Sequence, residues 1–174
     1  MNDRKIIFVG GIHAVGKGTV CEKLKQKFNF EHLSASQVLK WNEMSDLKNK
    51  KVQDFETTQD RLLNNLDKII EPNKTYLLDG HFTLLNSNGE PEKIDESTFV
   101  GIQPKSIILL TCEPKVIFER LKKRDNSTYK LDVLEKMQLM EIEHAKYISQ
   151  KLDISLFTVI DGDATSIFEY LETL

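Results

Sequence analysis

Residues 6–9 read Ile-Ile-Phe-Val, and directly after them the chain runs Gly11-Ile12-His13-Ala14-Val15-Gly16-Lys17 into a helical pattern. No other stretch constrains the fold as strongly. An apolar run without alternation suits a strand covered on both faces, which belongs to a parallel sheet with helices above and below. The spacing G-x-x-x-x-G-K at the end of such a strand curls successive backbone N–H groups around a phosphate, and the helix N-terminus adds positive potential. Lys17 can reach between β- and γ-phosphates, and Gly11 and Gly16 supply the tight turns. Gly18 follows the lysine and Thr19 stands one position later, so the strict ending in Ser or Thr is not met.

The remaining pattern alternates strands with helices. Val20, Leu24 and Phe28 repeat at four-residue spacing, and residues 30–33 read as a short extended piece. Ser34 or Ser36 can cap a brief helix carrying Val38, Leu39 and Trp41, followed by a Lys-rich loop or weak helix over 41–51. Leu62, Leu63, Leu66, Ile69 and Ile70 continue a helical period from Phe55, which Pro72 ends. Strands are predicted over 75–78, 106–111 and 156–160, and helices from Pro114, over 131–152 and over 166–174. The stretch 86–103 reads as a long surface excursion. The class is α/β with a parallel sheet, and 174 residues fit one domain, 1–174.

Charge and cysteine content narrow the partners. Lys and Arg number 24 against 27 Asp and Glu, which argues against a nucleic-acid binder held by phosphate contacts. Cys21 and Cys112 form neither a disulfide framework nor a metal-ligand pattern, so a reducing, cytoplasmic setting is expected. The apolar stretches are too short for a signal peptide or a membrane span, and a monomer or homodimer without membrane contact is expected. His32 and His144 have no ligand-like spacing and read as structural or solvated, with no zinc site.

Several polar residues fall where chemistry is expected. Asp79 ends the strand Tyr76-Leu77-Leu78, and a carboxylate at the carboxyl end of a parallel strand faces the crevice that holds the phosphate loop. There it can hold Mg²⁺ through water. His81 can orient an acceptor phosphate or a metal water, or act as a general base if it titrates near neutrality. His13 lies inside the loop, lining the pocket mouth or packing the loop itself. Arg120 and Arg124 are four apart on one helix face, with planar donors suited to phosphate. Lys48, Lys50 and Lys51 form a further basic cluster that an acceptor phosphate or plain solvent could occupy.

The string Lys17-Gly18-Thr19 resembles the adenylate kinase branch of the P-loop nucleoside monophosphate kinases, and Asp79-Gly80-His81 resembles the archaeal-type adenylate kinases and their bacterial ATP-binding relatives. The resemblance implies a three-layer P-loop NTPase sandwich with about five parallel strands in the order 2-3-1-4-5. It also implies helices on both faces, acceptor-side helices over 34–71 and a short lid over 120–130. It places ATP on residues Gly11, Ile12, His13, Ala14, Val15, Gly16, Lys17, Gly18 and Thr19, with Thr19 and Asp79 near hydrated Mg²⁺. Arg120 and Arg124 become lid arginines. Thr58-Gln59-Asp60-Arg61 is similar to a Thr-Gln-x-Arg stretch of these kinases, making Gln59 and Arg61, with His81, the acceptor candidates. Within Gln138-Leu-Met-Glu-Ile142, Ile142 stands where a second lid arginine would be. The implied activity is ATP-dependent phosphoryl transfer to a nucleotide or similar small acceptor. Two alternatives stay open: an ATP-binding regulatory protein with slow hydrolysis, and a nucleoside or small-metabolite kinase.

Overall fold

The computed structural model describes residues 4–45, 58–125 and 129–173. Lys48, Lys50, Lys51, Phe55 and the lid positions 126–128 lie outside the described residues. The chain opens with β1 (Lys5–Gly10), α1 (Lys17–Phe28), β2 (Glu31–Ser34), α2 (Ala35–Ser45) and α3 (Thr58–Ile69). β3 (Thr75–Asp79), β4 (Thr83–Leu85), β5 (Pro91–Lys93) and α4 (Glu96–Ile102) follow. It closes with β6 (Ser106–Thr111), α5 (Pro114–Asp125), α6 (Leu131–Leu152), β7 (Ser155–Ile160) and α7 (Ala164–Leu171).

Five strands form one parallel sheet in the order β2-β3-β1-β6-β7. Set against the expected 2-3-1-4-5, the labels differ because the antiparallel pair β4–β5 intervenes and stands apart from the main sheet. The expected excursion over 86–103 is therefore largely regular structure. Its hairpin turns at Asn86–Gly89, where Gly89 adopts φ 75° and donates to Asn86 O at 2.9 Å. An Asn-Gly pair at such a turn is a strong hairpin signal. Asp95 then caps α4 by accepting from Ser97 N, and Phe99 and Ile102 are buried. Three-residue strands are too short for an alternation to show, which is why the sequence reads as irregular here. The brief helix carrying Val38, Leu39 and Trp41 runs on to Ser45, into the stretch read as a loop or weak helix.

Alternate residues of the strands feed two cores. Ile7, Val9, Ile108 and Leu110 pack with Val20, Cys21, Leu24, Ile117, Leu121 and Ile167 from α1, α5 and α7. On the other face Ile6, Phe8, Ile107 and Leu109 pack with Val38, Leu62, Leu66, Phe99 and Ile102 from α2, α3 and α4. Each fully buried large apolar side chain is worth about 1.5–3 kcal/mol. The 22-residue α6 serves both cores, giving Leu134 and Met137 to one and Ala145 and Ile148 to the other. Between those two pairs it delivers Glu141 to the carboxyl end of the sheet, where β1 and β3 run side by side with Val9 opposite Asp79.

Candidate active site

The loop after β1 is shaped by three left-handed or glycine-only conformations, at Gly11 (φ 145°), Ala14 (φ 60°) and Gly16 (φ 110°). A Cβ on Gly11 would lie 2.8 Å from Leu110 O, so glycine is required by space as well as by φ. Gly16 leads into α1 without a side-chain cap, which leaves the first N–H groups of that helix facing the cavity mouth. Lys17 folds back across the loop and donates to Gly11 O at 2.7 Å and to Ile12 O at 3.2 Å. It is buried, and that burial pushes its pKa from 10.5 down to about 8, against the opposing pull of Glu141 and Asp79.

Glu141 is the residue that joins the site together. Its side chain is 1% exposed, and Oε1 accepts from Gly11 N and from Phe82 N, both at 2.9 Å. One carboxylate oxygen thus fixes the entry of the phosphate loop and the turn that follows β3. Burial raises its pKa above the ordinary 4.5, with the two backbone donors and Lys17 acting the other way. His81, in the same turn, donates Nδ1–H to Gly11 O at 2.8 Å and lies 4.2 Å, centroid to centroid, from the ring of His13. Burial first, then Lys17 and His13, pushes its pKa down to about 2. A pKa that low does not meet the condition set for His81 as a general base, while its hydrogen bond to Gly11 O gives it a positioning role.

Asp79 is held from the neighbouring strand. β2 lies against β3, and His32 Nε2–H donates to Asp79 Oδ2 at 2.5 Å. Cys21 joins them, with one ligand-type atom from each of the three residues within 4.8 Å of the others. His32 therefore serves the site carboxylate, which its position in the sequence did not suggest. The trio also stands where no metal-ligand cluster was expected. His32 and Asp79 are joined by a direct hydrogen bond, and burial raises the Cys21 thiol pKa. The arrangement works as a support for Asp79.

Two cavities meet at this point. The larger, about 650 Å³, is lined by the loop from His13 through Thr19, by Lys23, Asp79 and His81, by Arg120 and Arg124, and by Asp161 and Gly162. Arg120 Nη1 reaches Ala14 O at 3.2 Å and Val15 O at 3.3 Å. The second cavity, about 360 Å³, has Phe8, Leu39, Leu62, Leu84, Ile94, Phe99 and Ile102 in its walls and shares His81 with the first. The shared residue makes the two cavities neighbours across the end of the phosphate loop.

A family model described as an AAA domain matches residues 10–138. Human adenylate kinase isoenzyme 1 is 30% identical over 139 residues, covering 74% of this chain and 68% of that protein. Uridylate kinase of Saccharomyces cerevisiae is 28% identical, covering 73% of this chain and 65% of that protein. The chain belongs to the P-loop nucleoside monophosphate kinase family. Nucleotide kinase-like phosphoryl transfer goes with that membership. The fold agrees: a solved structure of a sugar kinase from Janibacter superposes with a TM-score of 0.59 over 98% of this chain and 93% of that one, at 14% identity.

Within this kinase frame, the candidates from the sequence fall into three groups. His13, Ala14, Val15, Gly16, Lys17, Gly18, Thr19, Asp79, His81, Arg120 and Arg124 all line the larger cavity, while Gly11 and Ile12 contribute carbonyls to Lys17. Gln59 lines the smaller cavity and donates to Ser97 Oγ at 2.5 Å. Arg61 lines neither cavity and donates Nη2 to Leu39 O at 2.8 Å, tying α3 to α2. Glu141 and His32 are the contributors that the sequence reading passed over. A carboxylate in the stripe Met137–Glu141–Ala145–Ile148, four, four and three residues apart, carries the signal of a buried polar residue.

Proposed function

We propose that the chain is an ATP-dependent small-molecule kinase, a single domain over 1–174 in which the larger cavity takes the ATP phosphates and the smaller takes the acceptor. What carries the reading is the contact of the two cavities at His81, at the end of a loop whose lysine lies across it. In this reading the loop amides and Lys17 hold the β- and γ-phosphates. Lys17 exchanges its carbonyl partners for phosphate oxygens, a trade of neutral acceptors for charged ones that are about twice as strong. Arg120 and Arg124 close from α5, with 120–130 as the lid and α2 and α3 as the acceptor arm. His81 keeps the acceptor side of the loop in place through Gly11 O.

Thr19 and Asp79 fit a hydrated magnesium ion, since both line the phosphate cavity with oxygen donors and Asp79 is oriented by His32. Held there, Mg²⁺ would supply positive charge to offset that of the phosphates. The protein's own share is alignment, water exclusion and positive charge, because phosphoryl transfer asks little covalent chemistry of it. The test is ADP formation from ATP and Mg²⁺ with a pooled set of nucleosides and nucleoside monophosphates. Lys17→Ala is expected to keep the fold and lose turnover. Equal steady-state rates for the variant and the wild type would overturn the assignment.

A further inference from the structure

Six residues in the walls of the smaller cavity, Leu84, Ile94, Asp95, Thr98, Phe99 and Ile102, come from one stretch that runs from the β4–β5 hairpin through α4. The hairpin takes no part in the main sheet, so the five-stranded ladder does not secure it. One face of α6 fastens the stretch instead. Glu141, His144, Tyr147 and Lys151 follow one another at spacings of three, three and four, which sets them along one side of the helix. Glu141 Oε1 accepts from Phe82 N at 2.9 Å, and His144 Nε2–H donates to Ile94 O at 2.7 Å. Farther along, Tyr147 and Lys151 both donate to the Glu96 carboxylate.

The inner two attachments close a ring. Phe82 O accepts from Ile94 N at 2.9 Å, so three hydrogen bonds lead from Glu141 through Phe82 and Ile94 to His144, and α6 joins the ends. The same Glu141 oxygen accepts from Gly11 N, which makes the ring continuous with the phosphate loop. His144 is 5% exposed and lines neither cavity. Its ring backs the cavity wall, meeting Phe99 edge-on with centroids 5.8 Å apart and an interplanar angle of 82°. Sequence spacing reads this histidine as structural or solvated. The structure aims its donor at the carbonyl of a residue that walls the smaller cavity.

We propose that His144 is a positioning residue for the phosphoryl acceptor: through Ile94 O and the Phe99 ring it holds one wall of the smaller cavity in register with the phosphate loop. This rests on the reading of the smaller cavity as the acceptor seat. His144 touches no reacting group in this role. Without its donor, Ile94 and the hairpin are released from α6, and acceptor binding must then supply the ordering that the ring of hydrogen bonds now supplies. The loop from Gly11 to Lys17 keeps its own glycines and its bond to Glu141. The effect therefore falls on the acceptor and spares ATP. A hydrogen bond of this kind is worth about a factor of five in an equilibrium constant.

The experiment uses the full chain with ATP and Mg²⁺, and takes as acceptor whichever of AMP, CMP, GMP and UMP gives the wild type its highest kcat/KM. His144→Phe keeps an aromatic ring against Phe99 and removes the donor, whereas His144→Gln keeps a donor of similar reach and removes the ring. His144→Phe is expected to raise the acceptor KM about fivefold or more and to change the ATP KM by less than about twofold. His144→Gln is expected to bring the acceptor KM back to within about twofold of wild type. His144→Asn, too short to reach Ile94 O, carries the same expectation as His144→Phe should the phenylalanine variant not fold. An unchanged acceptor KM in the donor-less variants would overturn the proposal. So would a joint rise of both KM values, or a loss confined to kcat, because each describes a general loss of structure rather than a displaced acceptor wall. Those outcomes leave phosphoryl transfer by the wild type intact. Transfer to none of the four monophosphates by a wild type that still binds ATP in a thermal-shift assay would instead remove the acceptor seat, and the proposal with it.

Discussion

Lys17 is a buried charge, and the energy of that burial can be measured. Its pKa falls from 10.5 to about 8, mainly through burial. A tenfold change in proton affinity is worth about 1.4 kcal/mol, so the fall corresponds to roughly 3 kcal/mol. The sign follows from proton counting. Between about 8 and 10.5 the unfolded chain holds the lysine proton and the folded chain has released it. Stability of the nucleotide-free protein therefore rises with pH across that window, and below it the folded state carries the full penalty.

Lys17→Met removes the titration while keeping most of the side-chain volume. Two carbonyls, Gly11 O and Ile12 O, lose a partner, at about 1 kcal/mol each, so the net gain at neutral pH is smaller than the full penalty. The difference between the two pH profiles is free of that uncertainty. Urea unfolding of both proteins without nucleotide, at steps from pH 7 to pH 10.5, reads it directly. Wild type is expected to gain roughly 3 kcal/mol on the variant across the range. Parallel profiles would refute the argument, because they would show that Lys17 carries no charge penalty in the folded state. The variant is expected to be inactive throughout, the usual relation between a destabilising site charge and function.

Further outcomes are expected at Asp79, Glu141 and α5. Asp79→Ala should raise the Mg²⁺ concentration needed for half-maximal activity and lower kcat, and identical Mg²⁺ titrations of variant and wild type would contradict its role. Glu141→Ala strands two buried N–H donors, at about 1–3 kcal/mol each, and should show in the urea midpoint as a loss of several kcal/mol. Glu141→Gln keeps an acceptor at Oε1 and should stay within about 1 kcal/mol of wild type at acid pH. Because burial raises the Glu141 pKa, wild type should lose stability as pH climbs past 4.5 and the Gln variant should not share that loss. Arg124→Ala should slow transfer while changing stability by no more than about 0.5 kcal/mol. A non-hydrolysable ATP analogue should slow hydrogen exchange in 120–130, and unchanged exchange with the analogue bound would rule out a closing lid.

The parts legible in the sequence are those whose cause is local. The loop from Gly11 to Lys17 carries its geometry in its glycines, and the strands at 75–78 and 106–111 are apolar because both faces are covered. The strand order came with the resemblance, and only the hairpin between β3 and β6 altered its labels. His32 was illegible because its partner is 47 residues away and depends on β2 docking beside β3. Glu141 is 130 residues from Gly11 and reaches it only because α6 crosses from one core to the other. Sequence spacing shows Arg61 and Arg120 as equivalent basic residues on helices, yet Arg120 reaches the phosphate loop and Arg61 braces α2.

The described cations that meet the phosphate loop already have partners in the substrate-free protein, and those partners are weak ones. Lys17 rests on Gly11 O and Ile12 O, and Arg120 on Ala14 O and Val15 O at the long end of hydrogen-bond distance. All are neutral carbonyls of the loop itself. An arriving triphosphate offers charged acceptors at the same place, so each exchange is downhill without requiring the loop to be rebuilt. Glu141 makes this possible by holding Gly11 N and Phe82 N from below, so the loop keeps its shape while its cations change partners. On the proposed reading, a rigid floor with reorienting cations above it would leave closure to α5, α2 and α3, which are not tied to that carboxylate. The same floor ties the turn carrying His81 to the phosphate loop, so that, on the proposed reading, an acceptor seated in the smaller cavity would meet the γ-phosphate in a fixed relation.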